Sequence, residues 1–294
     1  MINFKNLESI QFKYHTFIKL LVAWYVFDIA ISAMNYDAFW GTNSIYISPH
    51  VQSVRDVGFF VWLTTLVKNG FLFGHVYLLV ILQILIGSLI LYLKEHSKVL
   101  MLLFFLLSSN LQTPMMYGLD GGNNLATILF LYYLMFDWGH LNILSRKIRL
   151  QTTLIAYLLS ISQVVMIYLV AGFSKFQGEM WVNGTALYYI MQNPQYSSST
   201  FTHLFLKSDF LLVLGNYGTM IFQVFFPLIL FPQTNKLWLV SGVVLHLSIS
   251  IVLGLLQFGI IMSLVYVLFM DDDLMTYIKH KALGLYGKAK KLSA

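Results

Sequence analysis

The sequence predicts an all-α, polytopic integral membrane protein built as a helix bundle. Three observations support this fold class: 58% of the residues are hydrophobic, only 10% are charged, and the mean hydropathy is +0.73. Soluble domains carry about 25% charged residues, and a chain of this size cannot hide so much apolar surface by folding alone. The lipid bilayer is therefore a predicted partner. The net charge of +6 is interpreted as an orientation signal, and no nucleic-acid partner is expected.

About eight segments qualify as predicted spans, because a spanning helix needs about 20 mostly apolar residues. Pro114 interrupts the third segment, and the eighth is short. The outer segments 37–70 and 175–213 contain apolar stretches too short to span, which we expect to lie as amphipathic helices on the outer surface. Residues 1–15 are polar and mixed in charge, so no signal peptide is expected. The predicted spans are 16–36, 71–93, 99–117, 124–140, 153–174, 214–232, 237–255 and 257–271.

The distribution of basic residues predicts the orientation, because Lys and Arg are enriched on the cytoplasmic side. With a cytoplasmic N-terminus, 14 of the 18 Lys and Arg residues fall on inner segments, and the outer ones are Arg55, Lys68, Lys175 and Lys207. Eight spans also return the basic tail, residues 271–294, to the cytoplasm. We therefore expect a single transmembrane domain over residues 1–294, with its core at about 15–270 and both termini cytoplasmic.

Two ionisable residues lie near the middle of predicted spans, where such groups usually face a cavity or a partner. Asp28 lies in the first span and His246 in the seventh. Each is open to two interpretations, a catalytic cavity residue or a hydrogen bond between helices. His246 has no His or carboxylate three or four residues on, so no metal site is predicted. The absence of cysteine excludes thiol catalysis and Cys-ligated metals.

Asn123 and Asn124 follow a Gly-Gly turn at the start of the fourth predicted span. Asn is a favourable helix cap, so one interpretation is that either residue caps this helix. The other interpretation is that the pair forms a polar floor for a ligand near the outer face. The sequence leaves both interpretations open.

Lys175 closes the long apolar fifth span in the stretch "AGFSKFQGEMWVNG". A lysine at a helix end commonly extends its ammonium to water, and Trp181 is typical of the membrane interface. The alternative is chemical, because desolvation disfavours the ammonium and a neutral amine can act as a general base. Glu179 lies four residues on and would pair with Lys175 if the helix continued.

The segment "YLVAGFSKFQGEMWVNGTALYYIMQ" resembles the central motif of the HTTM family, whose members are similar to the membrane domain of vitamin K-dependent gamma-carboxylase. Two further blocks resemble family helices in order and spacing: "GLDGGNNLATILFLYYLMFDWG" and the region of His246 that ends at Gly254, Phe258 and Met262. The central motif is Gly-x-x-Lys, then Trp, then Gly-x-Ala-x-x-Tyr, here Gly172, Lys175, Trp181, Gly184, Ala186 and Tyr189.

The resemblance implies that Lys175 is a base at the outer face, as the lysine of this motif is in the carboxylase, where it deprotonates vitamin K hydroquinone. Asp28 and His246 are its expected partners. A lipid-soluble quinone is compatible with a site entered sideways from the bilayer, although the sequence identifies no cofactor. The predicted substrate-binding residues at the mouth and floor of the site are Glu179, Trp181, Asn123 and Asn124.

The chain also departs from the carboxylase. No histidine accompanies Asn123 and Asn124, Gln223 stands where many members have an acid, and no large outer domain follows the helices. We therefore do not expect a complete gamma-glutamyl carboxylase. A compact bacterial member of the family that helps to mature a secreted toxin peptide is closer in architecture.

The resulting hypothesis is a membrane-embedded enzyme or maturation factor that acts on an exported peptide, together with a processing partner protein, in the bacterial plasma membrane. A non-enzymatic immunity or scaffold protein is the second hypothesis, in which the polar residues serve helix packing. A quinone-linked, carboxylase-like enzyme is the third. A transporter is disfavoured, because no internal repeat is evident.

Overall fold

The computed structural model describes residues 7–35, 76–93, 97–112, 121–134, 146–193, 196 and 200–277. Every regular element within these ranges is a helix, and none is a strand. The fold divides into two compact units, which are described separately: a middle unit, residues 18–146, and an N/C unit, residues 1–17 with 147–294. The single domain expected over residues 1–294 stays a prediction.

The described residues of the middle unit form four helices, the first of which begins in the N/C unit. They are α1 (Leu7–Met34), α2 (Val76–Tyr92), α3 (Lys98–Gln112) and α4 (Gly121–Leu134). The N/C unit also contains 3₁₀ turns at Phe226–Leu230 and Tyr266–Phe269. Its remaining helices are α5 (Arg146–Phe176), α6 (Glu179–Val182), α7 (Ala186–Gln192), α8 (Thr200–Leu206), α9 (Asp209–Val224), α10 (Pro232–Val252) and α11 (Leu256–Val265).

Three helical stretches among the described residues are long and apolar enough to cross a membrane: Ser9–Met34, Gln151–Phe176 and Pro232–Val252. Shorter apolar helices cover Val76–Tyr92, Lys98–Ser109 and Leu256–Phe269. The all-helical prediction is therefore confirmed, and membrane-spanning helices are supported at three places. Eight spans and the cytoplasmic termini stay predictions.

The sixth predicted span, 214–232, is not one helix. α9 ends at Val224, a 3₁₀ turn containing Pro227 follows, and α10 begins at Pro232. Proline has no N–H to donate within a helix. Pro227 therefore prevents α9 from continuing, and Pro232 occupies the first position of α10, where no N–H is needed. The short helices α7 and α8 fall in the apolar stretches of 175–213 that were expected to be helical, and their location on the outer surface stays a prediction. The expected surface segment 37–70 and the tail beyond 277 lie outside the described residues.

The middle unit is joined by apolar packing and by polar bonds to main-chain groups. A Cβ on Gly87 of α2 would overlap the side chains of Val26 and Phe104, so glycine permits the close approach of three helices. Lys98 donates to the carbonyl of Tyr133 at 2.9 Å, with its ammonium 4.1 Å from the centre of the Tyr133 ring. Lys98 therefore binds α3 to the end of α4.

A buried ion pair joins the two ends of the N/C unit. Lys13 Nζ lies 2.8 Å from Asp272 Oδ1, and the side chains of Lys13 and Asp272 are 2% and 30% exposed. Ser9 donates to the same carboxylate oxygen, and Tyr157 donates to the carbonyl of Leu268 at 2.8 Å. The buried pairing gives Lys13 a packing role in addition to its contribution to the inner positive charge.

Two glycines determine how closely the last helices pack. A Cβ on Gly259 of α11 would overlap Ser250 Oγ and the carbonyl of His246 on α10. A Cβ on Gly242 of α10 would overlap the ring of Tyr266. Small residues at such contacts let two helix backbones approach within a membrane, and here they hold α10 against α11 and the 3₁₀ turn that follows it.

Gly259→Ala is expected to destabilise the protein by about 1–3 kcal/mol, because the added methyl group meets main chain that cannot move aside cheaply. The matched control is Gly218→Ala in α9, where a Cβ would meet nothing within 4 Å. The control should stabilise slightly, by about 0.5–1 kcal/mol, through helix propensity. Thermal unfolding of detergent-solubilised protein measures both. Equal transition temperatures for the two variants would contradict the proposed close contact.

Candidate functional site around Lys175

Lys175 lies in the last turn of α5, where the helix leaves its apolar surroundings. Its side chain is half-buried, and Nζ donates to the carbonyl of Ala171 at 3.3 Å. The ammonium also lies 4.8 Å from the centre of the Trp181 ring, within the range of a cation–π interaction. In the part of the chain that the structure describes, Lys175 forms no ion pair.

The condition for pairing Glu179 with Lys175, a helix that continues past the lysine, is not met. α5 ends at Phe176, and the N–H of Gly178 donates to the carbonyl of Lys175 at 3.1 Å. The four-residue helix α6 then starts at Glu179, whose side chain is exposed. The Trp181 ring lies over the lysine ammonium, and the binding roles predicted for Trp181 and Glu179 stay predictions.

The turn that carries Trp181 is fixed to α9 by two hydrogen bonds. Asn216 Nδ2 donates to the carbonyl of Trp181 at 2.8 Å, and Tyr217 donates to the carbonyl of Val182 at 2.8 Å. Gly184 has φ +83°, a left-handed conformation that glycine adopts readily. A Cβ there would lie 3.2 Å from Tyr217 Oη. The glycine of the central motif therefore serves both the turn and its close approach to α9.

His246 belongs to a second polar cluster in the same unit. The hydroxyl of Tyr168 on α5 lies 2.6 Å from His246 Nε2 on α10 and 2.7 Å from the hydroxyl of Tyr266. All three side chains are at most 2% exposed. His246 Nδ1 has no hydrogen-bond partner among the described residues. The shared hydroxyl thus joins α5, α10 and the 3₁₀ turn that begins at Tyr266.

Aromatic rings enclose this cluster. The Tyr168 ring stacks on Phe226 with centroids 3.9 Å apart and meets Phe222 edge-on at 5.7 Å. On the other side, Phe258 lies 5.4 Å from the His246 ring. Such an enclosure excludes water from the cluster, so a packing role for His246 is at least as well supported as a chemical one.

Lys175 and Tyr168 lie on the same face of α5, since they are seven residues apart and about 10 Å apart along the axis. Lys175 is therefore on the helix that also reaches His246, but the two side chains do not share a hydrogen bond within the described residues. The catalytic roles predicted for Lys175 and His246 stay predictions.

The remaining predicted site residues lie in the middle unit. Asp28 is half-buried on α1. Asn123 is 1% exposed, and its Oδ1 accepts a long hydrogen bond of 3.5 Å from Tyr25, whereas Asn124 is exposed. Since α4 begins at Gly121, both Asn residues lie inside its first turn and do not cap it. Their binding roles, and the catalytic role of Asp28, stay predictions.

Sequence reasoning missed Asn216, Tyr168 and Tyr266. Asn216 is fully buried although it lies in an apolar helix, and this could have marked it, because buried amides need hydrogen-bond partners. The two tyrosines carry no such signal, since aromatic residues are frequent throughout the chain. Among the described residues, no contact around Lys175 identifies a quinone site, so the suggested cofactor also stays a prediction.

The described residues define an all-helical protein of membrane type, with a half-buried lysine under a tryptophan at the end of its longest apolar helix. The chain is similar to two proteins of Bacillus subtilis (strain 168). It is 30% identical to the uncharacterized protein YitO over 125 residues, which cover 40% of this chain and 40% of YitO. It is 28% identical to sporulation-delaying protein SdpB over 160 residues, which cover 49% of each chain.

The matches thus span less than half the length of these curated relatives. No family model matches the chain, so membership of the HTTM family stays a prediction. No solved structure matches it either. The similarity to sporulation-delaying protein SdpB agrees with the architecture inferred from the sequence, and together with the three apolar helices it indicates a membrane protein.

Tyr168→Phe is expected to destabilise the N/C unit by about 1–3 kcal/mol, because it leaves His246 Nε2 and the Tyr266 hydroxyl without their shared buried partner. Tyr189→Phe is the matched control, since Tyr189 is 54% exposed. Chemical unfolding in detergent measures both free energies. Indistinguishable unfolding midpoints would show that the three-residue cluster contributes nothing to stability.

Proposed function

We propose that this chain is a multi-pass protein of the bacterial plasma membrane that acts on an exported peptide at the outer face, with Lys175 supplying a basic amine. The observation that supports this most strongly is the setting of Lys175. Its amine is half-buried at the end of an apolar helix, faces Trp181, and has no carboxylate partner within the described residues. An amine held in this way is available for proton transfer beside the membrane surface.

The tryptophan also fits the chemistry of a base. When Lys175 Nζ takes a proton from a substrate group, the amine becomes an ammonium and the substrate becomes an anion. The face of the Trp181 ring attracts a cation, so it stabilises the protonated lysine that this step produces.

The comparisons support the biological setting of the proposal. About half of the chain resembles a protein named for delaying sporulation, and the motif from Gly172 to Tyr189 resembles that of the HTTM family. We place the chain in that family and take maturation of an exported peptide, with a processing partner protein, as its role.

A non-enzymatic scaffold or immunity protein is the second candidate. It is favoured by the enclosure of His246, whose ring is 2% exposed and packed between Tyr168 and Phe258. In this case the buried polar groups hold helices together, and Lys175 anchors the end of α5 at the membrane surface.

Lys175→Met is expected to abolish formation of the mature peptide, because the side chain keeps its length but loses the amine. Lys175→Arg should fail as well, since a guanidinium retains its proton under all ordinary conditions and cannot act as a base. The measurement is the mass and yield of exported peptides, by mass spectrometry of the culture medium, in strains that differ only at position 175.

Lys207→Met is the matched control, because Lys207 is another lysine of the expected outer segment and is exposed. It should leave the product unchanged. A normal product from Lys175→Met at normal protein levels would exclude the base. A normal product from Lys175→Arg alone would indicate an interfacial anchor and favour the scaffold.

The outer location of the Lys175 turn can be tested directly, because the chain contains no cysteine. A cysteine at the exposed Asn183 should react with a membrane-impermeant maleimide added to intact cells. A cysteine at the exposed Lys236, on the expected inner side, should react only after the cells are opened. The reverse pattern would place the turn at the cytoplasmic face and contradict the proposal.

A further inference from the structure

We infer that Asn216 is a positioning residue for Lys175 and that it acts through Trp181. This inference rests on the proposed function, because it concerns how the amine of that site is presented. Asn216 is fully buried, and its Nδ2 donates to the carbonyl of Trp181 at 2.8 Å. The Trp181 ring in turn lies against Lys175 Nζ. Asn216 therefore holds the residue that covers the amine.

The polar group at position 216 is costly for the helix that carries it. Asn216 Oδ1 has no hydrogen-bond partner among the described residues, and its other contact is a weak one, from Nδ2 to Met220 Sδ at 3.9 Å. A buried amide whose oxygen lacks a hydrogen bond lowers the stability of the fold. An apolar residue of similar size could not donate the hydrogen bond that Asn216 donates to the Trp181 carbonyl.

Two contacts, one before and one after Lys175 in the sequence, hold α5 and the turn that follows it against α9. On one side, a Cβ on Gly172 would be 2.8 Å from Val224 Cγ2 and 3.0 Å from the Val224 nitrogen, so the two helices meet closely there. On the other side, the bond from Asn216 holds the turn after α5. Lys175 is one helical turn beyond Gly172 and six residues before Trp181. The first contact fixes the helix, and the second fixes the aromatic cover.

The test measures how readily Lys175 reacts with a water-soluble N-hydroxysuccinimide ester in the full-length protein in detergent, quantified by peptide mass spectrometry. Asn216→Asp keeps the shape but replaces the N–H donor by an oxygen, so the cover should open more often. We expect labelling of Lys175 to rise about fivefold, the change expected when one net hydrogen bond is lost. Tyr188→Phe, at an exposed tyrosine of α7 that does not bond to the turn within the described residues, is the control and should change labelling less than twofold.

A double-variant cycle separates positioning from general loosening. Trp181→Ala alone should raise labelling at least as much as Asn216→Asp, and adding Asn216→Asp to Trp181→Ala should produce no further rise, because the residue through which Asn216 acts is gone. Asn216→Ala serves in the same cycle if the Asp variant does not fold. Unchanged labelling in the single variant, or a second full rise in the double variant, would overturn the inference.

The result of the labelling cycle does not depend on whether Lys175 is a base, because labelling requires no substrate. A normal product from Lys175→Met would exclude Lys175 as a base, but it would not affect the inference that Asn216 holds Trp181 against the lysine. Failure of the labelling cycle removes Asn216 from the site but leaves the amine as a base.

Discussion

The N/C unit depends most on the two hydrogen bonds of the buried Tyr168 hydroxyl. It is shared between His246 Nε2 and the Tyr266 hydroxyl and so connects three separate segments at one buried point. In an apolar interior each of these groups would be costly alone, because no water replaces a missing partner. The glycines at 242 and 259 make the bond geometry accessible by letting α10 and α11 approach closely. The buried hydrogen bonds and the close glycine contacts therefore depend on each other in the packing of these helices.

The Lys175 site follows from the same framework. The helix α5, which carries Tyr168, ends one turn after Gly172, and the chain then turns at Gly178 and Gly184 back onto α9. This turn places an indole over an amine that the helix itself supplies. The site is thus formed by helix termination, which explains why an acid four residues from the lysine does not contribute while an aromatic residue six positions away does.

The sequence predicted the parts of this structure that depend on bulk apolar character. Hydropathy located the helices around Asp28, Lys175 and His246. It did not predict the pairing of Lys13 with Asp272 or the role of Asn216, because both depend on residues that only tertiary packing brings together. The span 214–232 was read as continuous since hydropathy is insensitive to a proline that interrupts hydrogen bonding without lowering apolar content. Whether Glu179 would pair with Lys175 depended on the helix continuing, because an i to i+4 spacing brings side chains together only within a helix.

The ion pair between Lys13 and Asp272 has a consequence for biosynthesis. Ser9 and the carboxylate that it shares with Lys13 are 263 residues apart, so at a synthesis rate of about 5–20 residues per second the partner arrives roughly 13 to 50 s after the first helix leaves the ribosome. Throughout that interval the ammonium of Lys13 must remain hydrated, since burial of an unpaired charge is strongly unfavourable. The beginning of α1 can therefore dock only late, and completion of the N/C unit is timed by translation of its final segment.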